Sequence, residues 1–239
     1  MRPSTGAKVS LVFLVILTFL TASMWRSPML LLGIIAALSL FSFYLFPRNE
    51  DRLFFLVGAV MATAGELIAV RYGAWKYGVP QMFGIPIYLP LLWGLSAMYS
   101  RRIINNLVPL RSSDKGVGFL KSRMVHKSGV KFLYDVISYS LVIVVVANLW
   151  KNNALVALLL FLIFLIHFLR FHTLNDISWI LFSIVGGVLI DNIFAQTGVW
   201  TYANPSFFGS PIWVIPAYAT FSLLVLRTAL IEDVLLSSS

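Results

Sequence analysis

Eight long apolar runs, separated by short polar breaks, dominate the chain. Each run is close to the ~20 residues that a helix needs to cross ~30 Å of hydrocarbon. Only helices and closed barrels satisfy every backbone polar group within a bilayer. The pattern therefore predicts an all-α polytopic membrane protein of about eight transmembrane helices. The runs cover residues 9–25, 27–46, 53–72, 85–103, 131–150, 153–172, 175–196 and 211–231.

Composition agrees with a bilayer environment. Of the 239 residues, 59% are hydrophobic and 11% are charged, whereas a soluble domain is about 25% charged. The chain has no cysteine, which excludes disulfides, thiol nucleophiles and cysteine-bound metals. The net charge of +9 first indicates membrane orientation and contact with anionic lipid.

The chain matches itself when it is shifted by 125 residues. Residues 73–87 and 198–212 share eight identities in fifteen ungapped positions, where average residue usage predicts roughly one. The same shift superposes all four apolar runs of each half. Because four spans is an even number, both halves begin on the same side of the membrane, which predicts two tandem, parallel four-helix repeats. The predicted units are 1–104 and 131–239, joined by a basic linker over 105–130.

Basic residues are distributed unequally between the two sides. Fourteen of the 18 Lys and Arg residues fall in the termini and in the loops after the second, fourth and sixth spans. This bias predicts a multi-pass protein of the cell membrane with both termini in the cytoplasm. The basic linker is expected to meet anionic lipid headgroups. Nucleic-acid binding is not expected, because no recognition motif or interleaved aromatics accompany the charge.

The repeated motif reads G-x-W-x-Y-x-x-P-x-x-F-G-x-P-I and joins the third and fourth spans of each half. Glycine and proline at this density end a helix. One interpretation is an aromatic turn anchored among the lipid headgroups. The other is a loop folded back as the lid or wall of a cavity.

Two acids lie within the apolar runs at equivalent positions. Glu66 and Asp191 each precede the motif glycine by seven residues. A carboxylate at this depth is costly and should face protein or a wet cavity. It can act there as a general acid. The alternative is a structural hydrogen bond or ion pair, with candidate partners Arg71, Lys76, Asn192 and Gln196.

Two further acids, Asp51 and Asp176, lie where the third span of each half begins, and we expect them to cap those helices. The three histidines are not spaced to share a metal. We therefore predict no metal site, and no cofactor is expected.

The two motif regions resemble a known family. Residues 185–220 are similar to the duplicated membrane domain of lycopene cyclases of the archaeal, fungal and actinobacterial type. Residues 60–95, which end in Pro90 and Trp93, look like the related carotenoid hydratases. Both acids of the cyclase Pro-Glu-Glu are absent, since the chain has Pro90-Leu91-Leu92 and Pro216-Ala217-Tyr218. The hydratase pattern therefore fits better.

This resemblance implies a lyase or isomerase of carotenoid biosynthesis. It would protonate an alkene of a lipophilic isoprenoid, leading to hydration or cyclisation. Glu66 and Asp191 would be the catalytic acids, and aromatic π faces would stabilise the cation. The alternatives are a small-solute or lipid transporter and a non-catalytic lipid-binding subunit. The expected substrate-binding residues are Trp75, Tyr77, Trp93, Trp200, Tyr202 and Tyr218.

Overall fold

The computed structural model describes residues 3–107, 133–134, 136–171 and 174–236. Most of these residues are helical, and the chain is a polytopic membrane protein, as predicted. The helices are α1 Pro3–Met24, α2 Pro28–Leu45, α3 Asn49–Arg71, α4 Leu89–Leu107, α5 Val136–Leu149, α6 Asn153–Phe171, α7 Leu174–Phe182, α8 Val188–Thr197 and α9 Val214–Leu236. Most of the predicted linker lies outside the described residues.

The apolar runs become helices of unequal length. Within the described residues, four are long and apolar enough to cross a bilayer: Thr5–Met24, Pro28–Leu45, Asn49–Arg71 and Ile177–Thr197. Three more are apolar but shorter: Val136–Leu149, Asn153–Leu169 and Val214–Leu226. Helix α4 is less apolar because Arg101 and Arg102 lie within it.

The seventh run is not a uniform α-helix. A π-helical turn over Ser183–Gly187 joins α7 to α8. Such a turn holds one extra residue and is frequent at functional sites. Apolar periodicity does not reveal it, because the runs on both sides continue without a break.

The two repeated motifs meet each other as short strands, β1 Trp75–Tyr77 and β2 Trp200–Tyr202, which pair antiparallel. The register places Lys76 opposite Thr201, and these two residues are 125 positions apart. Gly73 and Gly198 end the preceding helices with φ of 82° and 83°, a left-handed conformation that favours glycine. We call the paired strands the ribbon.

Equivalent positions of the two halves have the same local geometry. Phe83 and Phe208 both have positive φ, 51° and 46°. Arg26 lies over the ring of Trp25, and Lys151 lies over the ring of Trp150. These pairs are what two copies of one unit would produce, although the duplication and its domain limits stay predictions.

Asp51 does not cap α3. It lies in the first turn, is 1% exposed, and bonds Nη1 of Arg102 at 2.7 Å and Nη1 of Arg101 at 3.2 Å. Glu50 also pairs with Arg101 but is 44% exposed. The capping prediction for Asp51 was wrong because both arginines approach from α4 and take its oxygens. The Asp176 side chain lies outside the described residues.

Asp51→Asn should lower the stability of the protein by about 3 kcal/mol, because it leaves two arginines without their buried counter-charge. Thermal unfolding in detergent measures this loss. Glu50→Gln is the matched control and should cost less than about 1 kcal/mol, since Glu50 is half exposed. Equal losses for the two variants would contradict this account.

Close packing of α3 on α4 gives a second prediction. A Cβ at Gly58 would lie 2.4 Å from Cβ of Ala97 and 3.1 Å from the carbonyl oxygen of Trp93. Gly58→Ala should therefore destabilise the protein by about 1–3 kcal/mol. Gly33→Ala meets nothing within 4 Å and should stabilise α2 by up to about 1 kcal/mol. Thermal unfolding that moves the same way for both variants would refute the prediction.

Candidate functional site

A cavity of about 140 Å³ lies beneath the ribbon, between α3, α5, α8 and α9. Glu66 and Asp191 both line it, so the structure brings the two predicted acids to one site. Ala62, Gly65 and Ala69 of α3 also line the cavity, and their small side chains leave room beside Glu66. Five of the six predicted aromatic residues also line the cavity: Trp75, Trp93, Trp200, Tyr202 and Tyr218.

Glu66 is held by its own motif. Trp75 Nε1 donates to Glu66 Oε2 at 2.8 Å, and the Tyr77 hydroxyl donates to the same oxygen at 2.7 Å. Tyr77, the sixth predicted aromatic residue, thus holds the Glu66 carboxylate by a hydrogen bond but does not line the cavity. Both of these well-formed hydrogen bonds go to Oε2, and Oε1 makes none of comparable geometry with the described residues, although the Trp93 indole lies beside the carboxylate. Because Glu66 is only half-buried yet lines the cavity, this oxygen is the acceptor that the site offers.

Asp191 occupies the equivalent position but is closed off. The Tyr202 hydroxyl donates to Oδ1 at 2.7 Å, and the Ser210 hydroxyl donates to Oδ2. The side chain is 2% exposed. Both oxygens are therefore already engaged by protein donors, which leaves Glu66 as the accessible acid of the pair.

Neither acid has a basic partner among the residues that the structure describes. In the part of the chain that the structure describes, the ion pairs join Arg101 and Arg102 to Glu50 and Asp51. The predicted alternative of an ion pair with Arg71 or Lys76 is therefore not found. The alternative of a structural hydrogen bond is found for both acids, with aromatic and hydroxyl donors in place of Asn192 and Gln196.

The ribbon is a wall of the cavity. The Trp75 ring packs against Tyr202 at 5.5 Å, and the Tyr77 ring meets Trp200 edge-on at 5.7 Å. Burial raises the pKa of the Tyr77 and Tyr202 hydroxyls well above the usual value, so both phenols remain hydrogen-bond donors. The exposed part of each loop lies farther along, at Phe83 and its equivalent. The motif thus serves as a cavity wall at one end and as an exposed aromatic turn at the other.

Sequence reasoning missed three contributors to the site. Trp213 lines the cavity, and its buried Nε1 has no partner, as is also the case for Trp200 Nε1. Tyr139 lines it from α5, and Ser210 closes Asp191. These three residues correspond to Tyr88, Leu14 and Ile85 after the 125-residue shift. The repeat could not reveal them because the two halves differ at these positions.

Comparison with known proteins finds likeness in fold alone. No family model matches the chain, and no curated protein matches it. A crystal structure of MvINS, an Insig homologue from Mycobacterium vanbaalenii, superposes with a TM-score of 0.57 at 19% identity. That match covers 76% of this chain and 93% of MvINS. A cross-linked trimer of an MvINS variant superposes at 0.56 with 20% identity, over 77% of this chain and 96% of the other. The chain thus has an Insig-like membrane fold.

The predicted resemblance to lycopene cyclases and carotenoid hydratases was wrong, because the solved structures that match have an Insig-like fold. The residues that suggested this resemblance have local structural roles. Gly73 and Gly198 end helices in the left-handed region, and the motif Trp and Tyr residues build the ribbon. A turn of this kind needs the same residue types in unrelated proteins, so the motif carried less family information than it suggested. The predicted assignment to the lyases or isomerases of carotenoid biosynthesis therefore has no support.

The unequal closure of the two acids predicts unequal effects of removing their donors. Tyr202→Phe should destabilise the protein by about 1–3 kcal/mol, because it leaves a fully buried carboxylate oxygen unpaired. Tyr77→Phe should cost less, since Glu66 Oε2 keeps Trp75 as a donor. Thermal unfolding of both variants measures the difference.

A double-mutant cycle controls for side-chain packing. Combining Tyr202→Phe with Asp191→Asn should cost less than the sum of the two single changes, because both remove one interaction. Strict additivity, or a larger loss for Tyr77→Phe than for Tyr202→Phe, would argue against this description of the site.

Proposed function

We propose that this protein is a non-catalytic membrane protein that binds a lipid drawn from the bilayer. The polar group of the lipid lies at Glu66, and its apolar part lies among the cavity aromatics. The observation that carries the proposal is a Glu66 carboxylate whose Oε1 lacks a well-formed hydrogen bond to the described residues, in a cavity with mostly apolar walls. Ligand sites commonly combine apolar walls with a few convergent polar groups.

The Insig-like fold supports binding over catalysis. The enzymatic interpretation came with the cyclase and hydratase resemblance, which the fold comparison replaces. The general-acid role of Glu66 and Asp191 stays a prediction. Asp191 contributes to the proposed site by holding Tyr202, which is part of the cavity wall.

The indole groups of the cavity supply hydrogen-bond donors, which complement the acceptor oxygen of Glu66. Trp200 and Trp213 each hold a buried Nε1 without a partner, and both residues line the cavity. An acceptor on the ligand would satisfy these donors, while a donor on the ligand would satisfy Glu66. A hydroxyl group provides both, which favours an uncharged head.

The proposal also includes the orientation of the protein in the membrane. Arg26 and Lys151 lie beside Trp25 and Trp150 at the ribbon end, and the ion-paired Arg101 and Arg102 lie at the other. Tryptophan favours the membrane interface. Together with the excess of basic residues on the opposite side, this supports a ribbon that faces away from the cytoplasm and termini that face it.

Lipid co-purification and binding test the function. Native mass spectrometry of the full chain in a mild detergent should show a retained lipid, and Glu66→Gln should reduce its occupancy at least fivefold. Glu50→Gln, the same change at the other end of α3, should leave the occupancy unchanged. If Glu66→Gln retains lipid as well as the wild type does, the proposed site is wrong.

A further inference from the structure

A second cavity of about 100 Å³ adjoins the first. It is lined by α1, α3, α4, α9 and the helix that contains the π-helical turn. Gly58 of its wall precedes Glu66 by eight residues on α3, which places it about 12 Å from the acid along the helix axis. The second cavity therefore extends the first away from the ribbon. We call the two the upper chamber, which holds Glu66, and the lower chamber.

The chambers share three aromatic residues, Trp93, Tyr218 and Phe221, which line both. Trp93 and Tyr218 are 125 positions apart, so each half supplies one side of this neck. A Cβ on Gly187 would lie 2.6 Å from Cδ1 of Tyr218. The ring of Tyr218 is therefore packed directly against the π-helical turn, which limits its movement on that side of the neck.

The lower chamber holds neutral polar groups and no acid among its described residues. Thr18, Ser96 and Ser222 line it, and each hydroxyl donates to a carbonyl oxygen of its own helix, at 2.9, 2.8 and 3.0 Å. These three groups are satisfied locally. Outside the neck, the other polar residues in its lining are Ser100, Ser183 and Trp179. Glu66 and Asp191 line the upper chamber alone, so the charged end of the site is the ribbon end.

Volume limits what can occupy the two chambers. Together they enclose about 240 Å³, the sum of about 140 and about 100 Å³. An apolar cavity of about 150 Å³ holds one benzene molecule, so the two chambers suit a ligand of roughly ten carbon atoms. A fused-ring or two-chain body exceeds this volume.

We propose that the ligand is a single-chain lipid with a compact hydroxyl head at Glu66 and a slender chain that passes between Trp93 and Tyr218 into the lower chamber. This inference rests on the proposed function and adds the shape of the ligand to it. Trp93 and Tyr218 determine the specificity by setting the cross-section of the neck. Trp179 then lies beside the far end of the chain, since it lines the lower chamber.

A brominated alcohol tests this placement, because bromine quenches tryptophan fluorescence at contact. The probe is 10-bromodecan-1-ol, added to the full chain in phosphatidylcholine nanodiscs. Excess decan-1-ol should reverse the quenching that comes from bound probe. Quenching by probe dissolved in the bilayer should remain, so the reversible part measures specific binding. In Trp179→Phe the reversible quenching should fall at least twofold. Trp150→Phe, a matched change outside both chambers, should leave it unchanged.

Competition tests the shape. Cholesterol and 1,2-dioctanoylglycerol each carry one free hydroxyl but have bulkier bodies, and both should displace the probe at least tenfold less well than decan-1-ol. Trp93→Ala widens the neck and should reduce that difference for cholesterol at least threefold. Equal competition by all three alcohols in the wild type, or unchanged quenching in Trp179→Phe, would overturn the inference.

The two levels of the proposal fail in different ways. If displaceable binding of the probe is unaffected by Glu66→Gln, the proposed function itself fails. If binding depends on Glu66 but cholesterol or dioctanoylglycerol is preferred, the function stands and the single-chain inference is wrong.

Discussion

The hydrogen bonds between the ribbon and the two buried acids are the constraint on which the site depends. A carboxylate inside a membrane bundle needs partners, because no bulk water reaches it. Here those partners are Trp75 and Tyr77 for Glu66, and Tyr202 and Ser210 for Asp191. The acids thereby draw both motifs inward over the helices. The cavity is the space that remains beneath the ribbon once these bonds have formed.

This constraint explains why the tyrosines of the motif are buried, in contrast to its phenylalanines. Tyr77 and Tyr202 are 4% and 7% exposed, whereas Phe83 and Phe208 are 84% and 68% exposed. The residues that bond the acids face the bundle, and the phenylalanine between the two motif prolines turns outward in each loop. One short segment thus supplies both a polar anchor inside the protein and an apolar contact for the bilayer.

Periodicity and repetition predicted much of this arrangement. Apolar runs of about twenty residues predict membrane helices because length alone decides whether a helix spans the hydrocarbon. The 125-residue shift predicted that Glu66 and Asp191 are equivalent, and the cost of a buried charge predicted that they face the interior. Residues that differ between the halves, such as Ser210 and Trp213, left no such signal. Neither did the π-helical turn, because an extra residue in a helix leaves its apolar composition unchanged.

The family resemblance shows the limit of motif reasoning. The motif glycines answer to backbone conformation, and its tryptophans and tyrosines pack the ribbon and bond the acids. These are local roles, and they do not by themselves identify a family. The acids carried chemical information, but their roles depended on which oxygen remained free. Asp191 has no free oxygen because Tyr202 and Ser210 each donate a hydrogen bond to it in the folded protein. The spacing of these residues along the chain does not reveal those contacts.

The pairing of Lys76 with Thr201 has an evolutionary consequence. Two identical half-length chains that paired across a two-fold axis would place one strand residue opposite the same residue of the other chain. If the two halves are copies of one unit, as the 125-residue shift predicts, a four-helix ancestor could have assembled in this way as a homodimer with one cavity at its interface and two equal acids. Fusion of two such copies into a single chain would then release the halves from identity. Glu66 remains open to the cavity, whereas Asp191 is sealed by a serine that the first half lacks. One half could thus keep contact with the ligand while the other became scaffold.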